Sequence, residues 1–198
     1  MTCIVGVVDK GSVVIGGDTL GSNGQSKDRY ANHKVFRRDG IVVGYTTTYR
    51  FGQLLEFGDA LGELRYRIDR HSMDPLTALV KHFVPALRGE MDRAGAMQKD
   101  SNVEHGGNCL IGMGNRLFEL QADFSVLESA DGYMAVGSGE NFARGALAAS
   151  TGTGMARCLS ALRAAAKHNP YVGAPFVIID GAGAVYDADV DGMPKKRK

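Results

Sequence analysis

No apolar run in the sequence approaches the ~20 residues that a membrane-spanning helix needs. Its first residues also lack the basic start and long apolar stretch of a signal peptide. A soluble, cytoplasmic protein with no membrane partner is the expectation. Cysteine is scarce: Cys3, Cys109 and Cys158 are odd in number, far apart and form no C-x-x-C pair. That argues against a disulfide framework or a zinc site and for free thiols in a reducing compartment. His71, His82, His105 and His168 show no metal-ligand spacing, so neither metal nor cofactor is expected. A phosphate-binding G-x-x-x-x-G-K-S/T loop is missing, as are internal repeats and linkers. An excess of one charge is lacking too. The last four residues supply four of the 23 basic side chains, leaving nineteen against 22 acidic ones, a net of −3 for the body. By charge, the body is no nucleic-acid binder.

What is present suits one well-packed domain: 198 residues, 44% hydrophobic. We read residues 1–193 as that domain and 194–198 as a basic, solvated tail. Two β-branched runs, 4–8 and 12–17, flank a turn at Asp9-Lys10-Gly11 and predict a hairpin. Residues 33–37 and 41–45 around Asp39-Gly40 predict a second. The polar stretch 19–31 reads as loop or irregular strand. Helical periodicity follows, with one apolar stripe from Phe51 to Ile68. A second helix is capped by Asp74, opened by Pro75 and kinked at Pro85. After a loop at 95–107 come strands near 108–113, 116–121 and 132–136. Helices near 140–150 and 154–168 precede strands 175–179 and 184–186. Strands, two helices, strands, two helices, strands: this order predicts an α+β domain, and helices stacked on two antiparallel sheets would make it a four-layer αββα sandwich.

The strings Thr2-Cys3-Ile4-Val5-Gly6-Val7, Val13-Val14-Ile15-Gly16-Gly17-Asp18, His33-Lys34-Val35 and Val43-Gly44-Tyr45, with Gly137-Ser138-Gly139 after a later strand, resemble proteasome β-subunits and their bacterial relative HslV. Those are N-terminal nucleophile (Ntn) threonine peptidases. Thr2 to Asp18 is sixteen residues and Asp18 to Lys34 sixteen again, the family's spacing of its catalytic Thr, Asp and Lys. The resemblance implies Thr2 as nucleophile, Asp18 and Lys34 as its charged partners and Ser138 as a serine of the site. It also implies homo-oligomeric rings enclosing a chamber, unfolded protein or peptide substrates, and service by a separate ATPase unfoldase.

The chemistry of these residues agrees. A threonine hydroxyl needs a base, and an N-terminal threonine carries one in its own α-amine, with an ordinary pKa of about 8. Met1 before the small Thr2 is a start that methionine aminopeptidase trims, and with Met1 retained the base is blocked. Lys34 would stabilise negative charge on the hydroxyl oxygen, Asp18 would keep Lys34 charged, and Ser138 would orient the amine or relay its proton. Gly44 is the expected oxyanion-hole donor. The resemblance implies that Val42 and Thr46 flank a specificity pocket, and their small, weakly polar lining suggests modest apolar side chains.

The sequence departs from the family between Lys167 and Pro175. There Asn169 stands near an Asp position and Gly173 near a Ser, which thins the polar bracing of the site. Cys3 reads as a buried strand cysteine, and His33 should point away from Lys34. Two other readings stay open: hydrolysis of a small amide on the same nucleophile, and an idle scaffold.

Overall fold

The computed structural model describes residues 1–22 and 25–197. Asn23 and Gly24 of the expected 19–31 loop, and Lys198 of the tail, lie outside the described residues.

The chain opens with β1 (Cys3–Asp9) and β2 (Ser12–Asp18), joined where Lys10 and Gly11 both take positive φ. That is the primed turn whose twist matches paired strands. The short pair β3 (Leu20–Ser22) and β4 (Lys27–Arg29) fills part of the expected loop. A second primed turn, with Asp39 and Gly40 at positive φ, joins β5 (Val35–Arg38) to β6 (Ile41–Tyr45). The apolar stripe beyond it is two helices, α1 (Tyr49–Phe57) and α2 (Ala60–His71). Periodicity ran through the break because Gly58 leaves the helix extended while keeping a bond to Leu54 O, and Glu90 takes the Asp59 N–H.

Asp74 caps α3 (Pro75–Ala78) as expected, and α4 (Val84–Arg93) carries Pro85. Between them Leu79–Phe83 widens into a π-turn, which accommodates a proline that has no N–H to give and whose ring crowds the preceding turn. The expected 95–107 loop contains a small pair, β7 (Gln98–Asp100) and β8 (Val103–His105). Then come β9 (Cys109–Met113), β10 (Arg116–Leu120), β11 (Val126–Glu128), β12 (Tyr133–Gly137), α5 (Glu140–Ala149), α6 (Gly154–His168), β13 (Phe176–Ile179), β14 (Val185–Ala188) and β15 (Lys195–Lys196).

Two antiparallel sheets result, in the orders β12-β1-β2-β13-β14-β15 and β11-β10-β9-β6-β5. Ile4, Val13, Ile15, Val42, Leu110 and Leu117 pack between them. Outside the second sheet, Phe51, Leu55, Leu61, Leu64, Phe83 and Leu87 bring α1–α4 onto Phe36, Val43 and Phe118. Outside the first, Leu147, Leu159 and Leu162 of α5 and α6 cover Val5, Val7 and Ile178. Three apolar seams separate four layers, so the predicted αββα sandwich is the fold. Each fully buried Leu, Ile or Phe adds about 1.5–3 kcal/mol, so these seams fix the sheet register on which the site depends.

The basic tail differs from expectation. Lys195 and Lys196 stay exposed but form β15 against β14, and Arg197 grips Asp187 with two bonds of 2.6 Å. Among the described residues, no helix is long and apolar enough to cross a membrane.

Candidate active site

Thr2 lies at the mouth of the sandwich, where β1 begins, and β12 sets what stands beside it. The register Cys3 to Gly137 brings Thr2 alongside Ser138. Thr2 N–H donates to Ser138 Oγ at 3.3 Å, and Ser138 Oγ donates to Thr2 O at 3.3 Å. Gly137 makes this approach possible: its φ is +101°, and a Cβ there would stand 2.4 Å from Thr2 O. Thr2 is 6% exposed, whereas Met1 before it is 48% exposed.

Asp18 ends β2 on the other side. Pairing of Ile4 with Gly17 sets it next to Cys3, whose N–H donates to Asp18 Oδ1 at 3.0 Å. Lys34 precedes β5 and spans from one sheet to the other. Its Nζ donates to both Asp18 oxygens at 3.1 Å, to Leu20 O at 2.6 Å and to Met1 O at 3.4 Å. Thr2, Asp18, Lys34 and Ser138, distant in sequence, thus converge.

The side chains of Lys34 and Asp18 are 4% and 0% exposed. Burial pulls the Lys34 pKa below its ordinary 10.5, with the Asp18 carboxylate holding it up in part. The same burial raises Asp18, against which Lys34 and the N–H groups of Cys3 and Gly173 pull it down. Each ion is the main reason the other can stay charged in so dry a place. The Cys3 thiol is pushed up by burial and by Asp18, so it stays protonated and is no competing nucleophile. His33 faces the tail, its Nε2 2.7 Å from Arg197 Nη1.

The departure at 169–173 is compensated by other atoms. Asn169 Nδ2 donates to Ser138 O at 2.6 Å, and Asn169 Oδ1 accepts from Tyr171 N at 2.9 Å. The Gly173 backbone N–H bonds to Asp18. A backbone donor leaves no mark in residue type, which is why sequence reading missed it.

Two expected residues fall elsewhere. Gly44 lies inside β6, paired with Val35 and with Leu110. Tyr45 N–H donates toward β5, to Lys34 O, and Thr46 N–H toward β9, to Asn108 O. Strand alternation therefore turns Gly44 N–H into the ladder with β9, not toward Thr2. Its glycine serves close packing, since a Cβ would stand 2.5 Å from Ile4 Cγ2. Val42 is 2% exposed in the seam between the sheets and lines no site. Val42, Gly44 and Thr46 do share a face, but only Thr46 emerges from between the sheets.

That emergence opens a cavity of about 260 Å³ lined by Thr2, Lys34, Leu20, Gly21 and the segment Tyr45–Tyr49. Within it, Thr47 has φ +77°, a conformation costly for a β-branched residue. Its Oγ1 accepts from Asn108 N at 3.3 Å, and Thr48 caps α1. Thr47→Asn, whose residue type tolerates this φ, should raise the unfolding free energy by about 1 kcal/mol. For a chain of this size that is a Tm gain of about 2–4 °C, readable by calorimetry. A fall in Tm would show that Thr47 is not strained. Among the described residues, no group of three or more His, Cys, Asp or Glu side chains is placed to hold a metal ion.

No family model and no curated protein sequence matches the chain. Solved structures do. BPH of Thiobacillus denitrificans superimposes with a TM-score of 0.73 at 22% identity, over 90% of this chain and 96% of that one. Its complex with epoxomicin gives 0.71 at 23%, over 90% and 97%. Eukaryotic HslV from Trypanosoma brucei gives 0.67 at 19%, over 90% and 98%. The Gly-1 mutant of Anbu from Hyphomicrobium sp. strain MC1 gives 0.66 at 16%, over 99% and 87%. The chain therefore has the fold of the proteasome-type Ntn hydrolases, with Thr2, Asp18, Lys34 and Ser138 gathered at the mouth of its sheet sandwich.

Proposed function

We propose that the protein is a threonine-type endopeptidase that cleaves peptide bonds through an acyl-enzyme on Thr2 once Met1 is removed. The observation that carries this is the convergence of Thr2 with Ser138 on one side and the buried Lys34–Asp18 pair on the other. Met1 is exposed enough for a peptidase to reach. Its loss turns Thr2 N from an amide into an amine beside Ser138 Oγ. The amine takes the Thr2 hydroxyl proton, directly or through Ser138, as the oxygen attacks the substrate carbonyl. Lys34 favours negative charge on that oxygen, and Asp18 fixes Lys34. In place of Gly44, the N–H groups of Thr47 and Thr48 hold the oxyanion. Both residues line the cavity just beyond Thr46, whose N–H makes the last ladder bond of β6. The amine then returns the proton to the leaving nitrogen, and water frees the acyl group.

Assembly into homo-oligomeric rings, with unfolded protein as substrate and a separate ATPase to deliver it, follows from the resemblance to HslV and belongs to this same proposal. The test is an epoxyketone inhibitor followed by mass spectrometry of the N-terminal peptide. The expected product is a single adduct on a peptide beginning at Thr2. Retained Met1 with no adduct would leave an idle scaffold.

A further inference from the structure

We propose that the cavity beside Thr2 selects substrates with a carboxamide side chain, glutamine or asparagine, at the residue whose carbonyl is attacked, and that the buried Tyr49 hydroxyl reads it. This rests on Thr2 being the nucleophile.

Charge is decided first. Among the described residues, Lys34 is the one charged side chain that lines the cavity, and no carboxylate lines it. A cationic substrate side chain would meet an ammonium and no anion. An anionic one would find that ammonium, once Met1 is gone, still committed to both Asp18 oxygens and Leu20 O. A neutral side chain remains.

Polarity is decided by Tyr49. Its hydroxyl is buried and has no hydrogen-bond partner among the described residues. The ring is held edge-on against Tyr30 at 5.4 Å, and the hydroxyl lies so near Gly21 that a Cβ there would stand 3.2 Å away. It therefore cannot swing out to water without losing that packing. Burial, with Asp18 and Tyr30 adding to it, raises its pKa, so it remains a neutral phenol that can both donate and accept. An aliphatic side chain in the cavity that Tyr49 lines would leave this orphan unpaired. A carboxamide offers the acceptor and the donor that it lacks. The threonines contribute less: Thr46 Oγ1 gives its proton to Asn108 O, and Thr47 Oγ1, which accepts from Asn108 N, gives its own to Thr46 Oγ1. Thr48 Oγ1, which accepts from Phe51 N, still has a proton to offer. The sequence, showing only the small weakly polar residues after Gly44, pointed to modest apolar side chains. The two tyrosines that reach the cavity change that.

The experiment compares kcat/KM for fluorogenic peptides that differ only in that residue, as Gln, Leu, Lys or Glu, on the wild type and on Tyr49→Phe. We expect Gln to exceed Leu by about tenfold or more in the wild type, as a site built for a polar group rejects one without it. Lys and Glu should be poorest. Tyr49→Phe keeps the ring and should collapse the Gln-to-Leu ratio at least tenfold. Leu preferred over Gln in the wild type, or a ratio that Tyr49→Phe leaves in place, overturns the proposal while the nucleophile stands. If no peptide is cleaved and Thr2 takes no epoxyketone adduct, the nucleophile reading has failed, and this proposal fails with it.

Discussion

Replacing Thr2 with alanine is expected to lower peptide hydrolysis to background, a loss on the order of 10⁴–10⁶ in kcat, while the protein folds normally. The magnitude is that of removing the nucleophile from a hydrolase in which nucleophile and base act as a unit. Folding should survive because Thr2 makes its recorded hydrogen bonds through its backbone, N–H to Ser138 Oγ and carbonyl from Ser138 Oγ and Gly139 N. Alanine keeps all of these. Thr2→Ser should retain measurable turnover, since it keeps the hydroxyl and the amine. Wild-type chain with Met1 retained should be as inactive as Thr2→Ala, because its Thr2 N is an amide whose lone pair is delocalised into the carbonyl and cannot take a proton. Steady-state kinetics paired with intact mass reads all three. Thr2→Ala at wild-type rate would assign the chemistry to another group. An active Met1-bearing chain would remove the α-amine from the mechanism.

How much of this was legible in the sequence follows from the range of the interactions involved. Both hairpins were, because primed turns announce themselves locally through Lys10-Gly11 and Asp39-Gly40. Helix α6, expected near 154–168, runs from Gly154 to His168, with Thr153 as its cap. The site's acidic, basic and hydroxyl residues were legible only as a register, sixteen residues apart, because each alone is an ordinary strand-end residue. What failed depended on depth. Strand alternation puts Val42, Gly44 and Thr46 on one face, but it cannot say where a strand leaves the seam between two sheets. Gly44 was assigned a donor role for being unshielded, when its bareness lets Ile4 and Ile15 close over it. Tyr49, Thr47 and the Gly173 N–H were invisible for a related reason. Their importance lies in a buried hydroxyl, a positive φ and a backbone bond, none of which residue type displays. The helix break at Gly58 and the paired tail likewise depend on partners distant in sequence, Glu90 and Asp187.

Lys34→Ala is expected to cost both stability and activity, and the two losses can be separated. Removing the ammonium strands a carboxylate that is 0% exposed, and breaking a buried pair in this way costs about 3–5 kcal/mol. The double variant Asp18→Asn/Lys34→Met removes both charges at similar volume. It should recover most of that stability, because desolvating two ions offsets much of what their attraction returns. Activity should not return in the double variant, since no positive charge remains to favour the Thr2 alkoxide. The same logic sets the pH profile of the wild type. Lys34 must be protonated to act, and its pKa is lowered by burial from 10.5, so activity should fall on the alkaline side at a pH below 10.5. The acid limb should follow the Thr2 α-amine, which must be neutral, near its ordinary value of about 8. Denaturant titration measures the first effect and kcat/KM against pH the second. A Lys34→Ala protein as stable as wild type would mean that Asp18 is not held as a buried anion. A double variant that regained activity would show that Lys34 serves the fold rather than the charge on Thr2.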